Sequence, residues 1–208
     1  MNATLSAAID RLRAVRPVFH SEADFQFALA WQCKMQNPSS QLRLELPVAA
    51  AGKNYKLDLL LLENGRRIGI ELKYLKAGIE LEWQGEWFRL KNQGAQDIGR
   101  YDILKDVVRL EAMVGAGAID EGYAITLTND RKYWQERTSG QRVDESFGIH
   151  HGRLLNGELR WADHAGGTMK GREAPLCFGC AYSLEWKDYA ELPGYLAGKF
   201  RMLCISIK

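Results

Sequence analysis

The side chains best suited to chemistry are Asp58, Glu71 and Lys73, on neighbouring segments of NYKLDLLLLENGRRIGIELKY (residues 54–74). Asn64-Gly65, midway along, is the strongest short-range signal for a two-residue β-hairpin. Pairing Glu63 with Arg66 about that turn sets Leu61 against Ile68, Leu59 against Ile70, Leu57 against Leu72 and Tyr55 against Tyr74, which makes one face apolar. The period of two then sets Asp58 against Glu71 and Lys56 against Lys73 on the other face, beside Leu60 and Gly69. Like charges directly opposite destabilise a sheet, and a bound cation would remove that penalty. Two carboxylates with Cβ atoms ~5 Å apart suit a hard, oxygen-seeking ion such as Mg²⁺, with Mn²⁺ as a substitute. Lys73 shares the face of Glu71, where it would orient a water or stabilise charge developing on a phosphate. Opposed to Lys56, its pKa is expected to be depressed. The same four residues also fit a solvated face with diagonal salt bridges.

The elements that must position these residues are legible from periodicity. Ser21 followed by Asp24 resembles a capping box, and Phe25, Ala28 and Leu29, with Phe27, Trp31 and Met35, continue at helical spacing to Asn37-Pro38. Leu42, Leu44 and Leu46 alternate with Arg43 and Glu45 as a strand ending at Pro47. After the hairpin of residues 54–74 comes a second around Gln84-Gly85, with Leu81 opposite Phe88 and Ile79 opposite Leu90. Its Trp83, Trp87 and Phe88 suit either core packing or stacking on bases. Residues 93–114 read as the longest helix, ended by Gly115 and Gly117, and Tyr123–Asn129 as a β-branched strand. The order is α-β-β-β-α-β over residues 1–132. Residues 133–208 read as a β-rich extension, or as edge strands of the same sheet, with strands near Phe147–His150, Gly157–Trp161, Leu176–Trp186 and Phe200–Ile207.

Asp58 followed by Glu71-Leu72-Lys73 on the next strand, within that order, resembles the PD-(D/E)XK nuclease superfamily. The resemblance implies a restriction-endonuclease-like α/β core with a mixed sheet and a Mg²⁺-dependent nuclease that hydrolyses phosphodiester bonds, most simply a DNA endonuclease. The matching carboxylates, Asp58 and Glu71, would hold the metal, and Lys73 would assist the attacking water. Glu22, on the first turn of the first helix in this order, matches an additional acidic residue that completes metal coordination or binds its waters; it also suits a plain first-turn helix charge. Gln96 and Arg100, one turn apart on the long helix, match positions where relatives carry a polar or basic residue near the site, or simply a solvated face. Lys56, Lys170 and Arg172 join them as candidate nucleic-acid contacts, the last two in the glycine-rich basic loop 165–173. Leu57 stands where the proline that names the motif would be, and the hairpin at 79–90 precedes the long helix. The alternative is a catalytically silent module of this fold that binds DNA or a protein partner.

Composition narrows the partners. The chain has 208 residues, 28 Lys and Arg against 26 Asp and Glu, and a net charge of +2, so nucleic-acid contact must be a local patch. No apolar run approaches the ~20 residues of a spanning helix. The first twenty residues carry Asp10 and three arginines, so export is not expected and a cytoplasmic setting is. Four scattered cysteines read as thiols; Cys177 and Cys180 with His150, His151 and His164 would be the residues of a zinc site, but the histidines lack finger spacing. Neither a Rossmann nor a P-loop glycine pattern is present, so no nucleotide cofactor is expected. A homodimer is expected by analogy, since cutting both strands of a duplex with one site each needs two protomers.

Overall fold

The computed structural model describes residues 1–137 and 142–208. Helix α1 (Ala3–Val15), which was not expected from the sequence, buries Leu5, Ala8, Ile9 and Leu12 on one face, and the Asn2 side chain caps it by accepting from the Leu5 N–H. Helix α2 (Glu22–Gln36) starts as its capping signal indicates, with Ser21 Oγ accepting from the Asp24 N–H, and it buries Phe25, Ala28, Leu29 and Cys33. Phe27, Trp31 and Met35 stay exposed on its outer side. Strands β1 (Gln41–Ala50), β2 (Lys53–Glu63) and β3 (Arg66–Leu75) follow as an antiparallel meander. β1 runs on through Pro47, where the sequence pattern ended it; an edge strand tolerates a proline because the missing N–H can face solvent.

The second hairpin, β4 (Ile79–Trp83) and β5 (Glu86–Leu90), forms a separate ribbon with Ile79 opposite Leu90 and Leu81 opposite Phe88. These four residues bury themselves against the α1–α2 core, while Trp87 is exposed. Helix α3 (Gln96–Gly115) crosses to β6 (Glu121–Thr128), which pairs parallel with β3. Beyond residue 132, β7 (Leu154–Leu159) pairs with β8 (Leu176–Ser183), and β9 (Trp186–Glu191) pairs with β10 (Lys199–Ile207). The strand expected at Phe147–His150 is instead a 3-10 turn at Glu145–Phe147, and the run expected from Leu176 to Trp186 divides into β8 and β9.

A six-stranded mixed sheet results, in the order β1-β2-β3-β6-β10-β9. The strands after residue 132 thus complete the sheet, because β10 pairs with β6. One face is covered by α1, α2 and the β4–β5 ribbon, the other by α3 and the β7–β8 hairpin. β6 is buried along its whole length, as a strand with both faces covered must be.

The β2–β3 register agrees with the Asn64-Gly65 turn from Glu63↔Arg66 to Leu59↔Ile70, and there the ladder stops. Asp58 is therefore not paired with Glu71, nor Lys56 with Lys73. The cause is a local change of face. Leu59 and Leu61 join the α1–α2 core, but Leu57 joins the α3 core, although a regular strand would keep all three together. β1 turns over at the same level: Leu42 packs on the α1–α2 side and Leu46 and Val48 on the α3 side, with Glu45 between them at φ 53°. β1 and β2 then continue together as an arm from Leu46↔Leu57 to Ala50↔Lys53.

Gly122 fixes how closely α3 approaches this sheet, since a Cβ there would stand 3.1 Å from Leu110 Cβ. Gly122→Val is expected to destabilise the chain by about 1–3 kcal/mol through overpacking, measured by urea unfolding, with Gly122→Ala much milder. Equal stability of all three proteins would show that α3 is not held this tightly.

Candidate functional site

Past Ile70, β3 has no β2 backbone partner, and acidic side chains take that place. In this hairpin the N–H groups of even-numbered β3 residues point toward β2. The Leu72 N–H donates to Asp58 Oδ2 at 2.7 Å, and the Tyr74 N–H donates to Glu22 Oε2 at 2.8 Å. Each carboxylate does what a strand carbonyl would do in an unbroken ladder, which satisfies a backbone donor and fixes the acid beside β3. Gln26 on α2 holds the kink, its amide donating to the Asp58 carbonyl at 2.6 Å and to Glu45 Oε1 at 2.9 Å. Lys56 pairs with Glu45 across the arm, so its charge is turned away from Lys73.

Odd-numbered β3 residues face α3. Glu71 is 1% exposed there, and Lys73 is 24% exposed. Lys73 Nζ lies 2.7 Å from Asp106 Oδ2. Arg109, one turn on, lies 3.0 Å from Asp106 Oδ1 and 3.1 Å from Glu71 Oε1, and donates to the Lys56 carbonyl at 2.6 Å. Glu71 Oε1 and Asp106 Oδ2 are buried, and their close contacts with Arg109 and Lys73 lack good hydrogen-bond alignment.

Burial pushes the Glu71 carboxyl up to about 9, with the Asp106 and Asp58 charges acting the same way and Arg109 opposing them. Burial also raises Asp106, against the pull of Lys73 and Arg109. For Lys73, burial alone would lower the pKa, but the charges of Asp106, Glu22 and Asp58 outweigh it and hold the group above the usual lysine value. The depressed Lys73 expected from an opposing Lys56 is thus reversed. Its neighbours are carboxylates, and it is an ammonium at neutral pH.

Of the residues singled out from sequence, Glu22, Asp58, Glu71 and Lys73 converge at the end of β3. Gln96 and Arg100 do not. Arg100 is buried in an ion pair with Asp144 at 2.7 Å, and Gln96 donates to Asp130 at 2.9 Å. Even Arg100 lies six residues from Asp106, about 9 Å along the helix. Arg172 is tied to Asp102 at 3.0 Å, with Lys170 exposed nearby in sequence. Cys177 and Cys180 are free thiols three residues apart on β8, a spacing that points them to opposite faces, so they do not converge on a zinc ion.

Sequence reasoning missed Asp106 and Arg109. The signal was present: Asp106 lies on the arc of Ile103, Val107 and Leu110, so it must be buried when that arc is. No positional signal marks Gln26.

Among the described residues, no three His, Cys, Asp or Glu side chains close around one point in a metal-holding arrangement. Lys73 and Arg109 stand among the carboxylates. The donors nevertheless suit a hard divalent cation in kind and in charge, being oxygen ligands that include two buried atoms without hydrogen bonds. Set against known proteins, the chain matches no family model, and no curated protein or solved structure is significantly similar to it.

A carboxyl protonated in the fold and ionised in the unfolded chain makes stability fall as pH rises from its unfolded value, 4.5, to its folded one, about 9. Glu22 and Asp106 contribute in the same sense. Without added metal, urea-unfolding stability is expected to decline between pH 5 and about 9, and Glu71→Gln to flatten the decline. An unchanged slope in Glu71→Gln would mean that Glu71 is ionised throughout.

Proposed function

We propose that the chain is a Mg²⁺-dependent nuclease that hydrolyses phosphodiester bonds in DNA, on a restriction-endonuclease-like core. The observation that carries this reading is a charge imbalance in a confined place. Glu22, Asp58, Glu71 and Asp106 bring four carboxylates, and Lys73 and Arg109 only two cations, as named in the mutual charge interactions of these groups. Fully ionised, the cluster has two negative charges in excess, the charge of one divalent ion. The element order supports the same reading: α2, β1, β2, β3, α3 and β6, with strands ordered β1-β2-β3-β6 and β6 parallel to β3, is an α-β-β-β-α-β core once α1 and the β4–β5 ribbon are set aside.

Asp58 and Glu71 would hold the metal, Asp58 through the oxygen not engaged by Leu72 and Glu71 through its unbonded Oε1. When bound, Mg²⁺ supplies polarisation of the phosphate and acidifies an attacking water. Lys73, kept as an ammonium by Asp106, donates to the water or to the charge that develops on the phosphate; its raised pKa makes it an electrostatic group and not the base. Glu22, anchored by Tyr74, has its second oxygen available for waters on the ion. A second reading, binding of nucleic acid without cleavage, is favoured by the three ion pairs that already engage Glu71 and Asp106.

The deciding experiment is incubation with duplex, single-stranded and branched DNA and RNA in Mg²⁺ or Mn²⁺ against EDTA. Metal-dependent cleavage is expected, abolished in Glu71→Ala and Asp58→Ala and lowered by about 10²–10³ in Lys73→Ala, the range for loss of one charge-stabilising donor. Binding of DNA with no cleavage in either metal would select the second reading.

A further inference from the structure

We infer that Arg109 is a resident cation of the metal position, which covers Glu71 in the absence of metal and must give way before Glu71 can act as a ligand. The inference rests on the metal-site reading above and adds a regulatory step to it. Glu71 is sealed from solvent at 1% exposure, whereas the Arg109 side chain in contact with it is 22% exposed, so of the two partners Arg109 is the one solvent reaches. Its three polar partners come from three elements: Glu71 on β3, Asp106 on its own helix and the Lys56 carbonyl on β2. The Tyr55 ring lies 5.7 Å away on a further side.

These contacts are unequal. Arg109 makes aligned hydrogen bonds to Asp106 at 3.0 Å and to the Lys56 carbonyl at 2.6 Å, but its 3.1 Å contact with Glu71 lacks hydrogen-bond alignment. The contact a metal would have to displace is therefore the weakest of the three, and the other two would keep the guanidinium beside the carboxylates after Glu71 is released. A guanidinium held there, beside a bound cation, offers a planar set of donors matched to a phosphate oxygen pair. Metal binding and phosphate binding would thereby be coupled, since Arg109, once released from Glu71, would become a partner for the phosphodiester.

The test reads metal binding and uses no cleavage. Mn²⁺ affinity is measured by titration calorimetry on the full chain without nucleic acid, for wild type, Arg109→Gln and Arg109→Lys, with folding checked by circular dichroism. Removing a competing charge next to a ligand is expected to tighten Mn²⁺ binding by about tenfold in Arg109→Gln. Arg109→Lys, whose compact ammonium cannot span three partners, is expected to fall between the two and keeps the test open if the glutamine variant does not fold. Unchanged or weaker binding in a folded variant would overturn the role of Arg109 while leaving the metal site intact. Absence of Mn²⁺ binding in wild type and both variants would overturn the metal-site reading itself, and this inference with it.

Discussion

The parting of β2 from β3 after Leu59↔Ile70 is the constraint on which the site depends. A buried backbone N–H without a partner costs free energy comparable to a lost hydrogen bond, so the Leu72 and Tyr74 donors exposed by the split must be satisfied from elsewhere. Asp58 and Glu22 satisfy them, and in doing so two acids from different elements are fixed at the same strand end. The split also turns the β1–β2 arm over toward α3, which brings the Lys56 carbonyl within reach of Arg109. Backbone satisfaction and the geometry of the candidate site are here the same set of bonds.

Charge is the second organising term. In a low-dielectric setting an isolated buried carboxylate is too costly to keep, and it either takes a proton or finds a cation. Glu71 and Asp106 face each other across the β3–α3 interface, and Lys73 and Arg109 are the cations within reach. Burial is the main reason the Glu71 carboxyl rises so far, and the charges of Asp106 and Asp58, which two cations do not neutralise, add to it. The residual imbalance is the one that the proposed divalent ion would offset. That Lys73 is buffered by Asp106 fits the same scheme, because a lysine held as an ammonium stabilises negative charge without needing to exchange a proton.

The strands after residue 132 matter to the site through packing. β10 pairs with β6, β6 is buried on both faces, and β8 packs on α3, so the C-terminal third supports the helix that carries Asp106 and Arg109. The arginine singled out from sequence on that helix, Arg100, serves this support, being buried against Asp144.

Much of this was readable without coordinates. The Asn64-Gly65 turn determined the hairpin register over five pairs, since a two-residue turn leaves no freedom of alignment next to it, and periodicity marked α2, α3, β6 and the β4–β5 ribbon. The residues Asp58, Glu71, Lys73 and Glu22 were identifiable by type and position along their elements. What the sequence did not contain was where the ladder ends: extrapolating the register opposed Asp58 to Glu71 and Lys56 to Lys73, whereas Asp58 accepts from Leu72 and Lys56 turns to Glu45. Local patterning specifies a strand and its turn, but the place where two strands part depends on which core each face joins, and that is decided only when α2 and α3 pack on opposite sides of the sheet. The same packing decided that Asp106 and Arg109 belong to the site and that Gln96 and Arg100 do not, because a residue's position along a helix becomes a distance only once the helix is laid against a strand.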